Sequence, residues 1–260
     1  MEIAIIQHDI RWASPAENAL RLESLLEQKH GADLYVLCEM WSTGFATEPE
    51  GIAEEDEASL RWMERMARKH DAAIAGSIAT KENGQFYNRF YFVKPDGSVS
   101  HYDKRHLFTY GGEDRHFKRG EKREVVEWRG VRFLLEVCYD LRFPVWSRNG
   151  IDASGQADFD AILYVASWPT SRVEAWGALL RARAIENQCF VAGVNRIGND
   201  PQCTYCGASA IIDPYGRTIA ECERDKECIA EAKLDMQMLE DFRKKFPVLN
   251  DADCYIIHNS

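Results

Sequence analysis

The chain has 260 residues, 45% of them hydrophobic and 28% charged, and a net charge of −10. Such a composition suits a soluble globular protein with ample core material, and the negative balance argues against nucleic acid or an anionic membrane as a partner. No stretch approaches the roughly 20 apolar residues that span a bilayer. The start, Met1-Glu2-Ile3-Ala4, has no basic region and opens directly as a strand, so it does not read as a signal peptide. The eight cysteines are therefore expected to be reduced thiols in the cytoplasm rather than a disulfide framework.

In chain order, Glu2–Gln7 reads as a strand and 16–29 as a helix with Ala19, Leu22, Leu25 and Leu26 on one face. A strand over 32–38 ends at Glu39, a helix follows over 53–70, and an apolar strand over 72–78. Phe90-Tyr91-Phe92-Val93 turns through Pro95-Asp96-Gly97 into 99–102, and Val125–Trp128 pairs with Val131–Val137 across Arg129-Gly130. A strand over 160–166, a helix over 174–188 carrying Trp176, Leu179, Leu180 and Ala184, and a strand Phe190–Asn195 repeat the theme. Residues 208–212 and 218–220 make a hairpin through Asp213-Pro214-Tyr215-Gly216, before a strand over 227–233 and an amphipathic helix over 235–246. Mixed strands with outer helices predict a layered α/β domain. With no Gly-, Pro- or Ser-rich linker, 1–260 reads as one domain, its segment 235–260 extending from it or packing on a partner chain.

Three segments carry chemistry. The apolar run Leu134-Leu135-Glu136-Val137 delivers Cys138, ahead of Tyr139-Asp140-Leu141-Arg142-Phe143-Pro144. Leu37-Cys38-Glu39-Met40-Trp41 presents a carboxylate, and Tyr102-Asp103-Lys104-Arg105-His106-Leu107 an ammonium. An amide carbonyl is a poor electrophile, and a thiolate divides its hydrolysis into two easier steps through a thioester. A cysteine thiol of pKa near 8.5 is mostly protonated at neutral pH, so Glu39 would take its proton and pass it to departing ammonia. Lys104 and the backbone N–H of Tyr139 or its neighbour are candidate donors to the oxyanion. Each residue also has a plainer role: a core thiol, a strand-end ion pair, a solvated basic run at 104–106. Cys203 and Cys206 form a lone C-x-x-C without further ligands at zinc spacing, so neither a metal nor a cofactor is expected.

These segments, in this order, resemble the nitrilase (carbon–nitrogen hydrolase) superfamily, with its Glu–Lys–Cys triad. Leu37-Cys38-Glu39-Met40 with Thr43-Gly44-Phe45, Tyr102 to Phe108, Val137 to Pro144 and the turn Gly207 to Gly216 carry the likeness, which runs from Ile3 to about Lys233. The resemblance implies an αββα four-layer sandwich, a homodimer or higher homo-oligomer, Glu39 as base, Lys104 as oxyanion stabiliser and Cys138 as nucleophile. It also implies a second glutamate between lysine and cysteine. Glu113, in Gly111-Gly112-Glu113-Asp114-Arg115-His116-Phe117, fits that place, to orient Lys104 or the substrate amide, with Asp114 as the weaker alternative.

Within the superfamily, 137–149 and Ala166-Ser167-Trp168-Pro169 look like the omega-amidases of the bacterial YafV-like type, which deamidate 2-oxoglutaramate or 2-oxosuccinamate. Such a substrate needs a cationic or N–H-rich cradle for its carboxylate. Arg142 and Arg172 are the cations nearest in sequence, although Arg142 equally suits a structural pairing with Asp140. Trp41, Phe45, Tyr139 and Trp168 are candidate pocket walls. Two departures stand out: Cys38 occupies a position where many relatives have proline, and strand alternation puts Glu136 on the face of Cys138, where it would oppose a thiolate. A bulge or sharp turn at Cys138 would remove that conflict. Other acyl groups (a nitrile, a carbamoyl group, a simple aliphatic amide) fit the same triad, and a non-catalytic binding protein is the remaining alternative.

Overall fold

Strands buried on both faces read as continuous apolar runs, and here they build two six-stranded sheets stacked face to face. The computed structural model describes residues 1–29, 31–54, 57–253 and 255–257. The first half contains β1 (Glu2–Gln7), α1 (Pro15–Gln28), β2 (Leu34–Val36), α2 (Ala58–His70), β3 (Ala73–Glu82), β4 (Gln85–Val93) and β5 (Val99–Asp103). The second contains β6 (Val125–Trp128), β7 (Val131–Val137), β8 (Ala161–Ala166), α3 (Val173–Asn187), β9 (Phe190–Asn195), β10 (Ile197–Asn199), β11 (Thr204–Cys206), β12 (Ala210–Ile212) and β13 (Thr218–Glu221). The last strand, β14 (Cys228–Lys233), crosses back to the first sheet, and α4 (Met236–Lys245) follows it.

The sheets run β14-β1-β2-β3-β4-β5 and β13-β12-β9-β8-β7-β6. Each has three parallel strands at its heart, β1-β2-β3 in one and β7-β8-β9 in the other, flanked by antiparallel partners. Alternation sorts the side chains. Ile3, Ile5, Leu34 and Val36 of one sheet meet Phe133, Leu135, Val137, Leu163 and Val165 of the other, and the Phe92 and Phe133 rings lie 6.0 Å apart across the interface. The opposite faces are covered by Leu22, Leu26, Trp62 and Met66 of α1 and α2, and by Trp176, Leu180 and Ala184 of α3. The four layers are those expected, α–β–β–α.

Several boundaries differ from the sequence reading. The helix expected over 53–70 begins at Ala58, and residues 55 and 56 of that stretch lie outside the described residues. Glu54 instead accepts the Ser59 N–H (2.8 Å) ahead of the first turn. The strand expected to stop at Ile78 continues to Glu82 and turns into β4 through Asn83-Gly84, whose φ values of 51° and 76° are those a two-residue hairpin turn requires. Helix α4 lies against its own chain: Leu239 joins the inter-sheet core, and Arg243 donates to Asp160 (2.9 Å) and to the Phe159 carbonyl (2.8 Å). Residues 254 and 258–260 of the C-terminal segment are outside the described residues. No helix among the described residues is long and apolar enough to cross a membrane.

Candidate active site

The carboxyl ends of parallel strands are where open α/β sheets place ligands, and both sheets send functional groups from that end. After Val137 the extended backbone breaks at Cys138, whose φ of +47° is a left-handed conformation that costs a non-glycine residue energy. A single tight turn, Cys138–Arg142, follows. Asp140 braces it. One carboxylate oxygen accepts the Val137 N–H (3.0 Å) and the Tyr102 hydroxyl (2.9 Å); the other accepts the His106 N–H (2.9 Å) and Nδ1–H (2.8 Å). A side chain of the cysteine turn is thereby bonded to residues on either side of Lys104, on the other sheet.

Glu39 leaves β2 just before Met40, another left-handed residue (φ 44°), whose N–H donates to Ser77 Oγ (2.9 Å). Lys104 follows β5, and Glu113 sits in a short turn opened by Gly112. Lys104 Nζ donates to Glu39 Oε1 (2.9 Å) and to Glu113 Oε2 (2.9 Å). Asn88 Nδ2 donates to both carboxylates, at 2.8 and 3.0 Å. Glu113 also accepts the Phe108 N–H (2.6 Å), and Glu39 Oε2 accepts the Ser167 N–H (2.8 Å) from the end of β8. Glu39 and Glu113 are fully buried and Lys104 nearly so, whereas Asp114 is exposed. Arg105 is buried too, so 104–106 is no solvated face. Gly120 lets this loop close: its N–H reaches the Lys104 carbonyl (2.9 Å), and a Cβ there would fall 2.0 Å from the Asp103 carbonyl oxygen.

The electrostatics follow from this crowding. Burial, then the adjacent Glu39 carboxylate, push the Cys138 thiol well above its ordinary value, against the pull of Lys104 and of the Ser167 N–H. Burial alone would lower the Lys104 ammonium, but Glu113 and Glu39 outweigh it and hold it above the usual lysine range. Burial raises Glu113 and Lys104 opposes it, with the charge of Glu39 adding to the rise. An ammonium has three donors, and here all three face the carboxylates: Nζ also reaches the second oxygen of Glu113, Oε1, at 3.1 Å. The arrangement is thus a protonated thiol beside a base and a fixed cation, suited to attack coupled to proton transfer rather than to a standing thiolate.

Cys138 opens into a pocket lined by Trp12, Phe45, Phe108, Tyr139, Arg142, Trp168 and Arg172, and by Asp200, Gln202, Cys203 and Tyr205 from the β10–β11 hairpin. The expected substrate-side residues Phe45, Tyr139, Arg142 and Trp168 are all there. Phe45 lies under Lys104 Nζ, 5.1 Å from the ring centre. The guanidinium of Arg142 stacks on Trp168 (4.8 Å) and that of Arg172 on Phe108 (5.4 Å). Trp168 is set by its N–H on Asn195 Oδ1 (2.8 Å).

Two points that the sequence left open are decided, and one expectation is corrected. Arg142 is not the partner of Asp140, whose oxygens are taken by Tyr102, His106 and Val137. Trp41 is a core residue packed on Trp62 (4.7 Å), not a pocket wall. Glu136 faces Ser147 (2.8 Å) and Tyr164 beneath α3, because the break at Cys138 interrupts the alternation that would have put both on one face. Cys38 sits behind Glu39, its Sγ 3.6 Å from His8 Nδ1. Among the described residues no three His, Cys, Asp or Glu form a metal-holding group, and the C-x-x-C contributes Cys203 to the pocket instead. Sequence reasoning missed Asn88 and the hairpin loop 200–205; a polar side chain inside the apolar run of β4 was the available signal for Asn88.

Burial holds the Glu136 carboxyl well above the ordinary range, the nearby Asp140 charge adding to it. The folded state then keeps a proton that the unfolded chain releases near pH 4.5. Stability from this group is full below that pH and falls as pH rises towards the folded value, by roughly 1.4 kcal/mol per pH unit. Glu136→Gln is expected to flatten that slope in urea titrations between pH 5 and 8; an unchanged slope would show that Glu136 is ionised in the fold.

The chain matches the carbon-nitrogen hydrolase family over residues 2–244. It is 44% identical over 254 residues to the omega-amidase YafV of Escherichia coli K12, covering 97% of each chain. To the 2-oxoglutaramate amidase of Bacillus subtilis it is 38% identical over 255 residues, covering 96% of each. Among solved structures it superposes with a TM-score of 0.96 on a CN-hydrolase superfamily protein of Xanthomonas campestris with an arsenic adduct in its active site, at 41% identity and 99% coverage of both chains. With that likeness over almost its full length, the chain belongs to the carbon–nitrogen hydrolase family of the nitrilase superfamily, in its YafV-like branch.

Proposed function

We propose that this protein is an omega-amidase, hydrolysing the terminal amide of a small 2-oxo acid, 2-oxoglutaramate or 2-oxosuccinamate, to the dicarboxylate and ammonia. One observation carries the choice of substrate within the family. Two guanidiniums, Arg142 and Arg172, lie on aromatic rings in the pocket that holds the thiol, and neither has a carboxylate within ion-pairing distance among the described residues. An amide bearing a carboxylate at its far end satisfies them. The names borne by the Escherichia and Bacillus relatives agree with this reading.

In the proposed mechanism Cys138 Sγ attacks the amide carbon as its proton passes to Glu39. The oxyanion takes a Lys104 N–H that at rest is shared with the two oxygens of Glu113 (3.1 and 2.9 Å), and the N–H of Tyr139, which opens a helical turn and so lacks an acceptor within it. Collapse breaks the C–N bond, with the proton on Glu39 going to the leaving ammonia. Glu39 then takes a proton from water as it attacks the thioester, and the thiol leaves with that proton. Glu113 holds Lys104 in place throughout. No cofactor enters this scheme.

The same reading takes 1–260 as one domain, supported by the apolar core shared between the sheets, and places it in the cytoplasm, supported by the seven described cysteines being free thiols. It includes a homodimer, for which the exposed apolar side chains of Val145, Tyr255 and Ile256 offer a surface. The test is a substrate comparison. Arg142→Gln and Arg172→Gln are each expected to raise KM for 2-oxoglutaramate by roughly 10–100-fold, the scale of one lost charge-assisted hydrogen bond, and to leave hydrolysis of a neutral aliphatic amide nearly unchanged. Equal losses on both substrates would send the carboxylate elsewhere, and preference for the neutral amide in the parent would overturn the omega-amidase reading.

A further inference from the structure

Glu39 and Glu113 present a problem that the triad alone does not solve. Two fully buried carboxylates lie against one ammonium, and like charges at such range ordinarily share a proton rather than both ionise. If Glu39 were the one to hold it, the site would have no base. The structure assigns the solution to Asn88: we infer that its side-chain amide is a positioning residue that keeps both carboxylates ionised around Lys104, so that Glu39 is free to accept the proton of Cys138.

The geometry makes the case. Asn88 Nδ2 sits between the acids and donates one N–H to Oε1 of each, 2.8 Å to Glu39 and 3.0 Å to Glu113. A carboxylate oxygen receiving an N–H favours the charged form. The amide cannot be turned over, since its carbonyl would then point at two anions. In the orientation present, Oδ1 is buried without a hydrogen-bond partner among the described residues, a costly placement for a polar atom, so the residue is oriented for the acids rather than for its own satisfaction. The main chain adds a second tie: the Asn88 carbonyl accepts the Lys104 N–H at 3.0 Å. One residue of β4 thus sets the height of the lysine and the charge of both its partners. Glu39, Glu113 and Lys104 are the titratable groups it faces, with the Cys138 thiol beyond them, whereas neighbouring Arg89 points to the opposite face, onto Asp103 and Glu82.

The inference rests on the proposed roles of Glu39 and Lys104, so its test begins with a readout that needs no substrate. Infrared spectra of the parent at neutral pH are expected to show no protonated-carboxyl band that Glu39→Gln or Glu113→Gln removes; a band from Glu136 persists in both and does not interfere. In Asn88→Leu, close in size but without donors, such a band appears and is abolished by adding Glu113→Gln or Glu39→Gln. The acid limb of its kcat/KM profile moves upward by about one pH unit or more. Asn88→Asp keeps size and polarity should the leucine variant fold poorly. It is expected to work only while the introduced carboxyl carries a proton, so its activity declines with rising pH where that of the parent is level. A protonated Glu39 or Glu113 in the parent, or a folded variant with the parent's acid limb and spectrum, overturns the inference. Activity surviving in Cys138→Ala would instead overturn the triad and leave the infrared result standing.

Discussion

Cys138→Ala is expected to lose amide hydrolysis by at least about four orders of magnitude, the scale on which enzymes fail when a covalent nucleophile is removed. The loss belongs to kcat, because the pocket that binds substrate remains. Cys138→Ser should fail nearly as badly, since a hydroxyl beside Glu39 is a far weaker acid than a thiol. No other thiol can substitute. Cys38 is fully buried and pushed up to about 12 by that burial, and Cys203, although in the same pocket, belongs to the β10–β11 hairpin. Ammonia release, with intact-mass detection of an acyl-enzyme in the parent, reads the outcome. Residual hydrolysis above about one part in a thousand in the alanine variant would exclude a thioester at Cys138 as the main route. Because the thiol is held protonated at rest, alkylation of Cys138 by iodoacetamide should accelerate with pH far into the alkaline range, unlike that of an activated thiolate.

The second large effect is on Lys104. Lys104→Met removes the proposed oxyanion donor, worth about 10²–10³ in rate, and strands two buried carboxylates, a defect of roughly 3–5 kcal/mol for a broken buried pair. These losses are separable. Adding Glu113→Gln neutralises one stranded acid, so Lys104→Met/Glu113→Gln should regain part of the thermal midpoint without regaining activity. Parallel recovery of both would mean that Lys104 serves the fold alone. The pH dependence has a definite sign. A lysine held above its unfolded value contributes fully below about pH 10.5 and loses that contribution only in stronger alkali, while the stranded carboxylates of the variant are tolerated best when protonated, so its deficit is smallest in acid and grows as pH rises through neutrality.

The layers and the Glu39–Lys104–Cys138 trio were legible because each rests on a local signal: alternation with both faces apolar, and a reactive side chain at the end of a strand. What was hidden is informative. Asn83-Gly84 is among the strongest hairpin signals a sequence contains, yet the polar stretch at 80–85 masked the strand continuing through it. The face taken by Glu136 stayed open because period-two reasoning holds only while the backbone stays extended, and Cys138 is where it ceases to be. The pairing of Asp140 with Tyr102 and His106 spans more than thirty residues and two sheets, and no local pattern encodes it. Arg142 stayed open between the substrate and Asp140, because proximity along a turn does not decide a pairing. The loop 200–205 reaches the pocket only through the packing of β10 and β11.

The division of the site between two sheets has a consequence for the life of the chain before it is finished. Glu39, Lys104, Asn88 and Glu113 belong to the first sheet, and Cys138 and Ser167 to the second. While only one sheet has formed, the chain holds either acids without a thiol or a thiol without its base. The strand that closes the first sheet beside β1 is β14, supplied from the far end of the sequence. The arrangement of Glu39 and Lys104 about Cys138 therefore arrives late, with the docking of the sheets, and a nascent or misassembled copy carries an ordinary, unassisted cysteine.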